Sequence, residues 1–88
     1  MAITLHWRQR FTDVWEAACA PPLHSATVYP AIGGWAWHAE VSVRDKIGTV
    51  RQHLSGVAVS VDKAQEFAAF HVNNAVDASE KVKTSGGG

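Results

Sequence analysis

One cysteine, Cys19, in 88 residues rules out an internal disulfide, and a reducing, cytoplasmic setting is the simpler expectation. Neither sign of charge is in excess. Eight Lys+Arg balance eight Asp+Glu, which removes the global electrostatic pull toward nucleic acid or an anionic membrane. Long hydrophobic runs are missing as well. The opening MAITLHWRQRF carries no apolar stretch of signal-peptide length, and no segment is long and apolar enough to span a bilayer. There is no repeat of solenoid period and no HxxxH or CxxC spacing. Gly33-Gly34 lacks the further glycine and the Lys-Ser/Thr of a phosphate loop. The expectation is a chain with no cofactor, no resident metal, no catalytic residue and no membrane partner.

What the chain has is tryptophan: four in a sequence that is 47% hydrophobic. Each indole can bury about 150–250 Å², enough to replace several smaller core residues. Gly34 to Val43, GWAWHAEVSV, alternates without a miss. Trp35, Trp37, Ala39, Val41 and Val43 share one face, and Ala36, His38, Glu40 and Ser42 the other, as in a half-buried strand.

On either side the sequence supplies partners for that strand. Ser25 to Ile32 is rich in β-formers and ends at Gly33-Gly34, a hairpin signal. Pairing Ile32 with Trp35 sets Val28 opposite Ala39 and Tyr29 opposite His38. Pro30 cannot donate to a ladder, so it should face away from the Trp strand at an edge or bulge. After a turn at Arg44–Ile47, setting Val43 opposite Gly48 brings Val41 to Val50, Ala39 to Gln52 and Trp37 to Leu54. The polar side then pairs Glu40 with Arg51 and His38 with His53. Ser55-Gly56 suggests a bulge or break.

Residues 3–19 admit two readings. As strands, Ile3, Leu5 and Trp7 share a face, and Val14 to Cys19 returns after a turn at Arg10–Asp13. As a helix, Ile3, Trp7, Phe11, Val14 and Ala18 form a stripe. The β-forming composition favours strands. Pro21-Pro22 ends whatever precedes it. From Val61 a helix is expected, with Ser60 as N-cap and Asp62 in its first turn. Its stripe is Val61, Ala64, Ala68, Val72 and Ala75, flanked by Phe67 and His71. Asn73, Asn74 and Asp77 should end it near Ala78. The expected fold is α+β: an antiparallel meander of three to five strands with one C-terminal α-helix packed on one face. Residues 1–80 form the domain, and 81–88 a disordered tail or cloning scar.

Tyr29, His38, Arg51 and His53 share the polar face and are the candidate partner contacts. Two imidazoles fall short of the three or four ligands a zinc site needs. Phe70 falls opposite the helix stripe, an exposed aromatic suited to an interface. Cys19 reads as a small buried hydrophobe. Trp7 and Trp15 read as core.

The phrase GGWAWHAEV, a second strand and then SVDKAQEFAAFHV resembles a pattern of small proteins of bacteriophages and mobile elements. In these a Trp-bearing hairpin precedes a helix opening Ser-x-(acid)-x-Ala, and anti-CRISPR inhibitors are among them. The resemblance covers about residues 26–76. It implies a non-catalytic, protein-binding module, such as an accessory protein or an inhibitor of a host complex. The alternative is nucleic-acid binding through Arg8, Arg10 and exposed aromatics. The double-stranded-RNA-binding domain shares three strands and a helix, but this chain lacks the basic start of that domain's final helix, reading Asp62-Lys63-Ala64-Gln65-Glu66 instead.

Overall fold

The computed structural model describes the backbone of residues 3–87 and the side chains of residues 3–79. Five strands, β1 (Trp7–Phe11), β2 (Val14–Ala17), β3 (Leu23–Ala31), β4 (Gly34–Arg44) and β5 (Thr49–Ala58), precede one helix, α1 (Val61–Gly87). The strands form an antiparallel meander in the order β1-β2-β3-β4-β5. The helix crosses one face, chiefly over β4 with β5 and β3 to either side. The chain is thus α+β, with the amino-terminal segment in strands rather than a helix.

The alternation in β4 becomes the layer structure. Trp37, Ala39 and Val41 are buried beneath α1, whereas His38, Glu40 and Ser42 lie on the opposite, open face. Val28, Trp37 and Ala58 pack with Ala64 and Ala68. Leu23, Ala26, Ala39 and Val41 pack with Val72 and Ala17. Alanines at 64 and 68 bring the helix backbone close to the sheet, leaving room for the indole. Val76, absent from the expected stripe, is also buried. Val50, expected beneath the helix, is 43% exposed.

Both central registers differ from the expected ones, each by two residues. Val28 pairs with Trp37, Tyr29 with Ala36 and Thr27 with His38. The turn is Ile32-Gly33, so Ala31 and Gly34 close it. Pro30 then sits opposite Trp35 in the next, non-hydrogen-bonded pair, where no donor is required. Gly33 takes φ 87°, and a Cβ on Gly34 would collide with the Ala58 carbonyl oxygen.

At the other end, Val43 pairs with Val50, Ala39 with Leu54, Glu40 with His53 and His38 with Ser55. Asp45 decides this. Its carboxylate accepts the N–H groups of Ile47 (2.8 Å) and Gly48 (3.0 Å), and its own N–H donates to the Gly48 carbonyl at 2.8 Å. Displacement by two leaves every side chain on its expected face, because strand facing repeats every second residue. Nor does β5 break at Ser55-Gly56. Gly56 continues the strand opposite Trp37, and a Cβ there would come within 2.7 Å of the indole nitrogen.

The helix also departs from expectation, continuing past Ala78 to Gly87 through the segment read as a tail; Gly88 lies outside the described residues. Asn73 does not weaken it. Its Oδ1 accepts the Ile3 N–H at 2.5 Å, while its Nδ2 donates to the carbonyls of Ile3 (3.0 Å) and Ala69 (2.9 Å). This pins the amino-terminal segment to α1 and lets Ile3 and Leu5 pack on the core beside Trp7. Ser79 Oγ accepts the Arg44 N–H at 2.6 Å, holding the next turns against β4. The expected cap is in place, with Lys63 N–H donating to Ser60 Oγ at 3.2 Å.

Two outcomes check this packing by thermal and denaturant melts. Trp37→Ala should cost about 3–5 kcal/mol, and Gly56→Ala about 1–3 kcal/mol by overpacking. On a Trp37→Phe background the Gly56→Ala cost should largely vanish. Asn73→Ala should cost about 1–2 kcal/mol and speed exchange of the Ile3 amide.

Candidate functional site

The open face of the sheet is built by the alternate residues that do not meet α1. Across the strands the register aligns Arg8, Glu16, Thr27, His38 and Ser55 in one row. Next to it, Glu40 is opposite His53 and Ser42 opposite Arg51. Four of the five candidate contacts, Tyr29, His38, His53 and Arg51, meet on this face.

They are joined in sequence. Tyr29 Oη lies 2.6 Å from His38 Nε2, and His38 Nδ1 lies 3.0 Å from His53 Nε2. His53 Nδ1 is 3.7 Å from Glu40 Oε1, and Arg51 Nη1 is 3.6 Å from Glu40 Oε2. Two directions of donation satisfy the ring hydrogen bonds, and the carboxylate of Glu40 favours one of them: the phenol donates to His38, and the Nδ1–H of His38 donates to His53. The Nδ1–H of His53 is left pointing at Glu40. The Tyr29 and His38 rings are stacked 5.5 Å apart at 14°, and His38 and His53 are tilted at 58°. A phenol and two imidazoles are therefore hydrogen-bonded across three strands, with a carboxylate and a guanidinium in looser ionic contact beside them.

Two satellites extend the polar face. At the β3 bulge between Leu23 and Ser25, His24 Nε2 lies 2.5 Å from Ser42 Oγ. On the amino-terminal hairpin, Arg10 Nη1 contacts Glu16 Oε2 at 2.7 Å, and that hydrogen bond with its attraction raises the Arg10 pKa. The Arg10 guanidinium also lies 5.8 Å over the exposed Phe11 ring.

Phe70 does not join this group. It is 59% exposed, as expected, but sits in the helix layer, edge-on to His71 at 5.3 Å. His71 in turn stacks on Trp37 at 5.2 Å. Cys19 is exposed rather than buried, its thiol 3.2 Å from the Ala17 carbonyl. Position before Pro21-Pro22, outside the ladder, explains the difference.

The glycine opposite Trp37 and the two-way grip of Asn73 on Ile3 escaped sequence reasoning. Glycine beside a strand alternation was the available signal for the first; the second had none. Among the described residues no three His, Cys, Asp or Glu side chains are grouped to hold a metal ion. No helix among them is long and apolar enough to cross a membrane. Comparison with known proteins finds no matching family model, curated protein or solved structure.

Because the row lies open to water, His38→Ala should cost only about 1 kcal/mol. A loss of several kcal/mol in a denaturant melt would show the row to be part of the stabilising core.

Proposed function

We propose that this chain is a non-catalytic, cytoplasmic protein-binding module whose contact surface is the open sheet face. The observation that supports this most is the Tyr29–His38–His53–Glu40–Arg51 row. Its phenol and two imidazoles are hydrogen-bonded to one another before any partner arrives, so binding forfeits less of their rotamer freedom than on a loose polar surface. Tyrosine and arginine are favoured interface residues, and the imidazoles supply both donors and acceptors. An accessory or inhibitory role against a larger complex fits such a surface, since occlusion by a flat, preorganised face needs no chemistry. Phe70, in the other layer, is outside the area one partner on this face would cover.

Nucleic-acid binding through Arg8 and Arg10 is the weaker reading, because Glu16 already neutralises Arg10 at 2.7 Å.

The test is affinity capture from a host lysate with wild-type chain and with a Tyr29→Ala, His53→Ala double variant. A protein retained by the first and reduced at least about 10-fold with the second, at an unchanged melting temperature, supports the reading. Equal retention by both sinks it. In parallel, a gel shift with single- and double-stranded probes at two salt concentrations should show no binding; a steeply salt-dependent shift would favour the rival.

A further inference from the structure

The two edges of the sheet are treated differently. β1 is five residues long, carries Arg8 and Arg10, and its register is irregular between Gln9 and Phe11. Short length, charge and a bulge are the devices that blunt an edge. β5 has none of the three in effect: it runs ten residues with uninterrupted register to β4, has no proline, and Arg51 is its single charged residue at neutral histidine. Only Ala58 in it is buried. Among the described residues no strand pairs with its outer side.

Which backbone groups point outward follows from the turn. Asp45 and Gly48 are a hydrogen-bonded pair, so the bonded pairs alternate from there through Val43/Val50, Val41/Gln52, Ala39/Leu54, Trp37/Gly56 and Trp35/Ala58. Thr49, Arg51, His53, Ser55 and Val57 therefore aim their N–H and C=O groups at the free edge. Beside that edge, on the helix side, lies Phe67 (40% exposed). Asn73 faces the amino-terminal segment on the opposite flank of α1. The flank bearing Phe67 and His71 consequently faces β5, as the stack of His71 on Trp37 above Gly56 requires.

We propose that the β5 edge pairs antiparallel with the β5 edge of a second copy of this chain, about a twofold axis at Leu54. That register overlaps the whole strand. It sets Leu54 against the partner's Leu54 on the helix side, whereas a dyad at His53 would oppose Gln52 to the partner's Leu54. Arg51 faces the partner's Val57, and His53 the partner's Ser55, giving about eight ladder hydrogen bonds. Strand spacing places a helix over β4 about 7 Å from the dyad, hence two helices about 14 Å apart. That gap is wider than direct helix packing, and Phe67 from each copy faces it. The strand offers an incoming copy no charge repulsion, since Arg51 meets valine and keeps Glu40 beside it.

Sedimentation of the full chain from about 1 µM to about 1 mM tests this. Monomer should give way to dimer, with slowed amide exchange at Arg51, His53, Ser55 and Val57. Ser55→Pro, which removes an outward N–H, should abolish the dimer. Two exposed substitutions fix the register: Val57→Lys should weaken the dimer about 3- to 10-fold and Val57→Glu tighten it similarly, since each meets the partner's Arg51. A dilute thermal melt confirms that each variant folds. A monomer at every concentration, including one whose edge takes up only a foreign extended segment, overturns the proposal. So does a dimer whose constant moves the same way, or not at all, with both Val57 variants. The proposal stands on the strand edge and not on the polar row, so either reading can fall alone.

Discussion

The seat of Trp37 over Gly56 is the contact on which the other arrangements depend. The indole occupies the volume a β5 side chain would have taken, with Ala64 and Ala68 of the helix above it and His71 stacked at its margin. Only a glycine at that register position leaves room, so the contact fixes β5 against β4 as well as the height of α1 over the sheet. A close-packed interior allows little give: the ring cannot move toward the helix without displacing side chains that are already fully buried.

From that seat the polar face follows. With Trp37, Ala39 and Val41 committed to the helix side, His38 and Glu40 must face away. The β5 register then delivers His53 and Arg51 to Glu40, and the β3 register delivers Tyr29 to His38. A shift of two residues toward the expected register would preserve the faces and set Tyr29 and His53 directly opposite His38, so the observed register decides the diagonal geometry of the row rather than its membership. The diagonal geometry of the hydrogen-bonded chain is thus a consequence of turn chemistry at Asp45 and at Ile32-Gly33, acting at a distance through the pleat. The same alternation points half of the β5 backbone outward, so the polar row and the free edge derive from one register.

The helix shows how local preference yields to tertiary contact. Asn73 is a poor residue for a helix interior because its amide competes for backbone groups. Here the competition is resolved in favour of both structures: the side chain bonds back to Ala69 within the helix and across to Ile3. The residue expected to help end the helix instead ties the first strand region to it, and Ser79 does the same for the end of β4.

The alternation of GWAWHAEVSV was enough to fix which side chains face the core, and the apolar stripe from Ala64 to Val72 to fix the helix that covers them. Side-chain facing has a period of two in strands and 3.6 in helices, and both are written locally in the chain. The α+β meander, the Ser60 cap, the exposed Phe70 and the shared face of Glu40 and Arg51 were legible for that reason. Register was not, because displacement by two residues leaves every facing unchanged. The choice fell to features that act only when strands meet: the missing donor of Pro30, the carboxylate of Asp45 and the missing side chain of Gly56. Tertiary structure alone therefore decided that Glu40 lies opposite His53 rather than Arg51, that Tyr29, His38 and His53 bond along a diagonal, and that Ile3 is held by Asn73, since each depends on a register or a contact that no local period encodes.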